Sequence, residues 1–150
     1  MSLNPVKLIY KFNKEADLLI PGYIDEKESA FPIEEMLEGL VITALGDTLG
    51  LPRATPKTLS RRIISLTSTP MEITDVERLD KHLDTIVYCF GSIFKLGLTP
   101  QQAIAALEIV AQANLQKLSV GTDDHGKQMK PTNFVGPEVK LQELLNKRER

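Results

Sequence analysis

Residues 29–44 read Ser-Ala-Phe-Pro-Ile-Glu-Glu-Met-Leu-Glu-Gly-Leu-Val-Ile-Thr-Ala and combine an apolar stripe with three carboxylates. The apolar residues recur at the three- and four-residue intervals of an amphipathic helix. They are Ile33, Met36, Leu37, Leu40, Val41 and Ala44. Pro32 stands where the first turn of a helix tolerates proline. The spacing therefore predicts an acidic helix from about Pro32 to Leu49, with Pro52 marking its end.

Three glutamates crowd together on this acidic helix. Glu38 follows Glu34 by four residues and Glu35 by three, so each pair repels by about 0.2–0.5 kcal/mol. At about 100° per residue, Glu34 and Glu38 border the apolar stripe and can face the interior. Inward carboxylates need a cation, and a divalent metal is the natural candidate. In the alternative, Glu34 and Glu35 only complement the helix dipole in the first turn, which leaves Glu38 unexplained.

Composition limits the function classes. A chain of 150 residues with a hydrophobic fraction of 42% is enough for one globular domain, predicted over residues 1–150. No apolar run reaches the roughly 18 residues of a membrane span, and no secretory signal is visible. Cys89 is the single cysteine, which fits a reducing cytoplasm. A net charge of −2 argues against a nucleic-acid partner.

Two capping boxes predict the starts of two long helices. Thr74-Asp-Val-Glu77 opens a helix that reaches about Leu96, and Thr99-Pro-Gln-Gln102 opens one that reaches about Leu118. Gly97 lies between them in the usual C-terminal position. The core face predicted for the first helix consists of Leu83, Ile86, Val87, Phe90 and Phe94.

Shorter segments complete the chain. A helix is predicted over Val6–Ala16, a connection over Leu18–Glu28, and a short helix from Thr55-Pro56 onward. Residues 121–136 are expected to form a polar loop, and residues 137–150 a short terminal helix. No run of alternating residues predicts a strand. The predicted fold is therefore all-α, an antiparallel bundle of about four main helices, and the absence of heptads excludes a coiled coil.

A second acidic stripe lies on the helix that begins near Thr74. Glu77, Asp80 and Asp84 fall within about 60° of one another. Glu77 is explained by the capping box, but two aspartates one turn apart repel and weaken a helix. A solvated face, screened by Lys81 and His82, is the alternative.

Two acidic helices in one small chain favour oxygen ligands for Mg²⁺, with Mn²⁺ possible. The histidines and the cysteine lack zinc-ligand spacing, and no glycine-rich nucleotide-binding loop occurs. Gly91, inside the second acidic helix, costs about 1 kcal/mol relative to alanine, which predicts a close approach by another helix or a ligand.

Four short elements follow one another along the chain: Glu34-Glu35-Met-Leu-Glu38, then residues 83–91 with Leu96-Gly97-Leu98, then Ala113-Asn114-Leu-Gln-Lys117-Leu, and then Lys130-Pro-Thr-Asn133-Phe134 with Pro137. In this order they resemble the MazG-like all-α nucleoside triphosphate pyrophosphohydrolases, in particular their phosphoribosyl-ATP pyrophosphohydrolase-like branch. The first element matches the family's Glu-Glu-x-x-Glu signature, and the second resembles its second metal helix and the turn after it. The third resembles the family's Asn-x-x-Lys element, and the fourth resembles the tail that closes over the site. The likeness spans roughly Val6 to Pro137.

The resemblance implies a helical fold that dimerises into a larger bundle and a Mg²⁺-dependent hydrolase. Its substrate would be a nucleoside triphosphate, possibly a deoxynucleotide, cleaved to the monophosphate and pyrophosphate. Metal-ligand roles are implied for Glu34 or Glu35, for Glu38 and for Asp84, and catalytic roles for Glu35 and Glu38. Where the family has Glu three residues before Asp84, this chain has Lys81. Asp80, our choice for that ligand, or Glu77 then completes the set.

Several polar residues are candidates for substrate binding. We expect Lys117 and Lys130 to contact phosphates, with Arg61 and Lys95 behind them, although each could be an ordinary surface cation. Asn114 falls on an apolar helix face and needs a partner, either a substrate group or a backbone carbonyl. The alternative function is a non-enzymatic α-helical homodimer or protein-interaction module whose acidic stripe binds a structural cation or a basic partner.

Overall fold

The computed structural model describes residues 4–19, 25–38, 40, 42–51, 53–67, 73–123 and 128–148. Within these residues the chain forms seven α-helices and one short 3₁₀ helix, and no strand. A single isolated antiparallel bridge joins Thr122 to Gln128 in the described part of the polar loop. The all-α prediction is therefore confirmed for the described residues.

The helices follow one another as α1 (Pro5–Glu15), α2 (Asp25–Leu37), α3 (Thr43–Thr48), α4 (Pro56–Thr67), α5 (Asp75–Lys95), α6 (Pro100–Leu115), the 3₁₀ helix (Gln116–Ser119) and α7 (Glu138–Asn146). The chain divides into two compact units, one of residues 22–73 and one of residues 1–21 with 74–150. The single domain over residues 1–150 stays a prediction. In the described parts of the chain, every helix is too short or too polar to traverse a lipid bilayer.

The unit of residues 22–73 is built on the packing of α2 against α4. Leu59 and Ser60 of α4 are fully buried there. Thr55 caps α4 as predicted: its hydroxyl accepts from the backbone N–H of Thr58 at 3.2 Å, and the Thr58 hydroxyl accepts from the N–H of Thr55 at 2.9 Å. This reciprocal cap satisfies two backbone donors at the helix start, where they have no helical partner.

The acidic helix differs from its prediction at both ends. It begins at Asp25, within the predicted connection, and ends at Leu37, so Pro32 lies inside the helix and not in its first turn. A proline inside a helix removes one backbone hydrogen bond, and α2 ends little more than one turn later. A separate short helix, α3, begins at Thr43. Pro52, the predicted end of the acidic helix, lies outside the described residues.

The break after Leu37 also divides the predicted apolar stripe. Leu37 is buried, whereas Met36 is 72% exposed and Leu40 is exposed as well. Ala44 belongs to α3 and is exposed. A helix periodicity holds only while the helix continues, so residues beyond the break do not share the buried face of α2. Val41 lies outside the described residues.

The other unit is built around α6, against which α1 packs, with further contacts from α5 and α7. Its buried residues are mostly small, including Ala103, Ala111 and Ala113 of α6. Both predicted capping boxes are present, and Gly97 has the positive φ of +86° that a helix C-terminal glycine adopts. The local hydrogen bonding at these helix ends therefore follows the sequence closely.

The predicted core face of α5 is wrong for this chain. Leu83 is 50% exposed and Val87 is 66% exposed, Ile86 and Phe94 are exposed too, and no residue of α5 is buried. Phe90 is partly buried and lies beside Phe94, with 6.0 Å between the ring centroids. The apolar pattern identified the apolar side of α5 correctly, but the described core of this unit forms mainly where α1 packs on α6.

The close approach by another helix predicted at Gly91 is not found among the described residues, and the alternative of a ligand stays a prediction. A Cβ atom built on Gly91 would meet nothing within 4 Å. The helix therefore carries the cost of this glycine without a packing gain in the single chain.

Candidate functional site

Near the end of α2, Glu34, one of the predicted metal ligands, lies next to the guanidinium group of Arg61. The carboxylate of Glu34 is buried, with the residue only 4% exposed, and its Oε2 lies 3.7 Å from Nη1 of Arg61 on α4. The same Nη1 donates to the backbone oxygen of Lys57 at 2.9 Å, which fixes the guanidinium on α4. Glu35 and Glu38 are exposed. The prediction that Glu34 faces the interior is confirmed, and the same prediction for Glu38 is wrong.

The helix dipole does not explain the glutamates of α2. Glu34 and Glu35 lie in the last turn of the helix, and Glu38 follows it. The C-terminus of a helix carries a partial negative charge, so the dipole destabilises carboxylates there by roughly 0.3–1 kcal/mol each. The alternative that placed these residues in a stabilising first turn is therefore wrong. The cation that the structure gives to Glu34 is Arg61.

The acids of α5 fall into two kinds. The backbone N–H and the hydroxyl of Thr74 donate to Oε2 of Glu77 at 2.6 Å and 2.8 Å. The backbone bond first, and then the hydroxyl bond, lower the pKa of Glu77 because they stabilise the charged form. Asp80 and Asp84 are exposed, and neither makes a hydrogen bond or an ion pair with the described part of the chain. The capping role of Glu77 is confirmed, and the two aspartates have no comparable role.

The predicted metal ligands are divided between the two compact units. The glutamates of α2 belong to residues 22–73, and the aspartates of α5 belong to the other unit. Among the residues that the structure describes, no group of three or more His, Cys, Asp or Glu side chains could hold a metal ion. The donors are all carboxylate oxygens, which is the chemistry that Mg²⁺ and Mn²⁺ prefer. The ligand roles stay predictions.

Two predicted phosphate contacts meet at one aromatic ring. Nζ of Lys117 lies 5.6 Å from the centroid of the Phe134 ring, and Nζ of Lys130 lies 5.4 Å from the same centroid. Lys117 also donates to Oδ1 of Asn114 at 2.6 Å, so among the described residues the side chain of Asn114 has a side chain as its partner. Each cation–π contact contributes about 0.5–1 kcal/mol where solvent is near. We call these four residues the lysine–phenylalanine cluster.

Hydrogen bonds hold the segment that carries Phe134. The side-chain amide of Gln116 donates to the backbone oxygen of Val135 at 3.0 Å and accepts from the backbone N–H of Val135 at 3.1 Å. The backbone N–H of Phe134 donates to the oxygen of Pro131 at 3.0 Å. The chain around Phe134 is therefore tied to the C-terminal end of α6 by a two-point amide contact.

The other predicted cations have different surroundings. Arg61 pairs with Glu34 inside the unit of residues 22–73. Lys95 is exposed in the last turn of α5 and makes no hydrogen bond or ion pair with the described residues. Their substrate roles stay predictions.

The roles of two residues of this site were not predicted: Phe134 was named only as part of the family-like tail, and Gln116 only within the Asn-x-x-Lys element. Phe134 lies four residues after Lys130 in a basic tail, and an aromatic residue at that spacing is the signal that could have identified it. Gln116 bonds to the backbone of a residue 19 positions away, and no sequence pattern indicates such a contact.

Comparisons of the chain with protein-family models, with curated proteins and with solved structures found no match. The functional assignment therefore depends on the sequence elements described above and on the geometry of the residues themselves.

Proposed function

We propose that this chain is a divalent-metal-dependent hydrolase that cleaves a nucleoside triphosphate to the monophosphate and pyrophosphate. The observation that carries the proposal is the lysine–phenylalanine cluster. It gathers the ammonium groups of Lys117 and Lys130, which are 13 positions apart in the sequence, around one ring. The resemblance to the MazG-like enzymes assigns this same tail to the substrate. Polyphosphate is the substrate chemistry that a pair of ammonium groups suits best.

The carboxylates support the same proposal. Asp80 and Asp84 destabilise α5, and their side chains make no hydrogen bond or ion pair with the described residues. This is the arrangement expected of side chains that bind a ligand. Asp80 and Asp84 on α5, and separately Glu34 on α2, are our candidates for oxygen ligands. Bound Mg²⁺ or Mn²⁺ would supply charge neutralisation of the phosphates and a lower pKa for a coordinated water. The exposed carboxylates of Glu35 and Glu38 are our candidates for accepting the proton of the attacking water.

The cluster would act on the leaving group. When water adds to phosphorus, the bond between the α-phosphate and the bridging oxygen breaks, and pyrophosphate leaves with the electron pair. Lys117 and Lys130 would stabilise the negative charge that develops on its oxygens. Asn114 would hold the ammonium group of Lys117 in place through the 2.6 Å hydrogen bond.

We further propose that the active form is a homodimer. The support is the apolar side of α5, a 21-residue helix with no buried residue. A continuous exposed apolar surface usually marks an interaction site. A non-enzymatic dimer would present the same surface, so the oligomeric state cannot distinguish the hydrolase from the non-enzymatic dimer. Only an assay of triphosphate hydrolysis distinguishes them.

The experiment is a screen for pyrophosphate release. Ribo- and deoxyribonucleoside triphosphates are incubated with the chain and Mg²⁺ or Mn²⁺, with EDTA in parallel, and the products are identified by ³¹P NMR. We expect monophosphate and pyrophosphate from at least one substrate, and none with EDTA. Orthophosphate and a nucleoside diphosphate as the products would refute the cleavage position. The absence of turnover with every nucleotide would favour the non-enzymatic dimer.

A further inference from the structure

Two like charges share one ring in the free chain. The ammonium groups of Lys117 and Lys130 lie 5.6 Å and 5.4 Å from the centroid of Phe134, so they cannot be farther apart than the sum of these distances. Two cations at this range repel each other. The face of an aromatic ring attracts both, because its quadrupole is negative there. The ring of Phe134 thus holds the ammonium groups of Lys117 and Lys130 near each other before any anion is bound.

The ring itself is held by bonds that do not involve the lysines. Gln116 contacts the backbone of Val135 through both ends of its amide, and the N–H of Phe134 donates to the oxygen of Pro131. Such bonds fix the position of the ring before a ligand arrives. A site prepared in this way loses less side-chain freedom on binding, which raises affinity.

We infer that Phe134 is a positioning residue that joins Lys117 and Lys130 into one site for two linked phosphate groups. The charge pattern fits this ligand class, since each phosphate of a pyrophosphate unit can accept a hydrogen bond from one ammonium group. The inference rests on the proposed function only in identifying that unit with part of a nucleoside triphosphate. Binding of free inorganic pyrophosphate does not require it.

The test measures binding of inorganic pyrophosphate without metal, by calorimetry at low ionic strength, where screening is weak. Phe134→Leu keeps the apolar volume but removes the ring, and loss of two cation–π contacts should weaken binding about fivefold to thirtyfold. Phe134→Tyr keeps a ring and should bind as the unaltered chain does. Lys117→Gln should weaken binding about tenfold or more. Lys140→Gln, on the exposed side of α7, is the matched lysine control and should change nothing.

A second readout needs no ligand. The ring current of Phe134 should shift the ε-methylene proton signals of Lys117 and Lys130 upfield in the free chain, and Lys140 should show no such shift. Phe134→Leu should abolish the shift, and Phe134→Tyr should retain it. A residue that served only stability would lower the melting temperature without this ring-specific pattern. Unshifted lysine signals in the unaltered chain would overturn the inference, even if Phe134→Leu failed to fold.

Three binding results would also overturn the inference. They are no pyrophosphate binding by the unaltered chain, equal binding by Phe134→Leu, and Phe134-dependent binding of a nucleoside monophosphate but not of pyrophosphate. The last result would make Phe134 a platform for the base. Failure of the proposed function is distinguishable: pyrophosphate would bind in a Phe134-dependent way while no triphosphate was hydrolysed. If triphosphates were hydrolysed with an unchanged KM in Phe134→Leu, the function would stand and the inference would fail.

Discussion

Glu77 and Asp80 lie less than one turn apart on α5, yet their carboxylates have different surroundings. Glu77 accepts two hydrogen bonds from Thr74 and closes the capping box. The side chain of Asp80 is exposed and makes no hydrogen bond or ion pair with the described residues. The capping box explains why Glu77 stands at the start of α5. Asp80 has no such role, and it destabilises the helix. The identity of the acid that complements Asp84 can therefore be decided by substitution.

Asp80→Asn and Asp84→Asn should each remove most of the hydrolysis of triphosphates without lowering the melting temperature of the metal-free chain. Each substitution removes a ligand oxygen charge and also relieves the repulsion between the two aspartates. Glu77→Gln should keep much of the activity, because the Glu77 carboxylate serves the cap. Pyrophosphate release and thermal unfolding of the same three variants measure the two effects separately.

The pH dependence of stability tests separately whether the Glu77 carboxylate acts as a helix cap. Its pKa in the folded chain lies below the ordinary value of 4.5, so its contribution to stability is complete above that value. The contribution is lost as the pH falls through the lower folded pKa, when the carboxylate is protonated. Glu77→Gln should therefore reduce the loss of stability in acid. An inactive Glu77→Gln beside a normally active Asp80→Asn would make our ligand assignment wrong.

At the scale of the elements, two glycines inside helices have opposite surroundings. A Cβ atom on Gly46 of α3 would lie 2.8 Å from the backbone oxygen of Leu51 and 3.0 Å from Cβ of Ala54. A Cβ atom on Gly91 of α5 would meet nothing within 4 Å. The first glycine is required by the return of the chain after α3, whereas the second has no such reason in the single chain.

Gly91→Ala should therefore raise the free energy of unfolding by about 1 kcal/mol, because alanine loses less backbone freedom in a helix. Gly46→Ala should lower it by about 1–3 kcal/mol, because the added methyl group meets backbone that cannot move freely. Denaturant unfolding of both variants measures the two changes. A loss of stability in Gly91→Ala would contradict the prediction and indicate a close approach by another molecule at this point of α5.

The starts of α4, α5 and α6 were predictable because they depend on bonds within a few residues. Thr55, Thr74 and Thr99 were each assigned as caps from the sequence, and each hydroxyl accepts the backbone N–H three residues later. The break after Leu37 was not predictable in this way. The helical apolar spacing continues from residue 33 to residue 44, so periodicity alone placed these residues in one helix.

The sequence also predicted individual residues of the candidate site but not the contacts between them. Lys117 and Lys130 could be chosen from the sequence as cations near a family-like tail. Their meeting at Phe134 could not, because it depends on the contact that Gln116 makes with Val135. The inward position of Glu34 followed from periodicity, but its partner Arg61 comes from another helix. The sequence thus identified candidate residues, and packing decided which faces are buried and which residues meet.

At the scale of the whole molecule, the apolar side of α5 is an extended apolar surface that the described residues leave exposed. The rings of Phe90 and Phe94 pack against each other near the C-terminal end of α5. Leu83 and Val87 remain at least half exposed. Burying a fully exposed leucine or valine contributes about 1.5–3 kcal/mol, so a helix with several such residues has much to gain from a partner. A second copy of the chain offers the same surface in return, which is the geometry of a twofold dimer.

Val87→Asp should therefore convert the proposed dimer into a monomer, because a carboxylate in its apolar interface would have no cation to pair with and would lose its water. The matched control is Val139→Asp on α7: Val139 is 72% exposed and Val87 is 66% exposed, so both substitutions add the same charge to a similarly exposed valine. Sedimentation at micromolar concentration should show dimers of the unaltered chain and of Val139→Asp, and monomers of Val87→Asp. If the unaltered chain were a monomer and still hydrolysed triphosphates, the dimer would be unnecessary. If Val87→Asp remained a dimer, the partner would contact some other surface than α5.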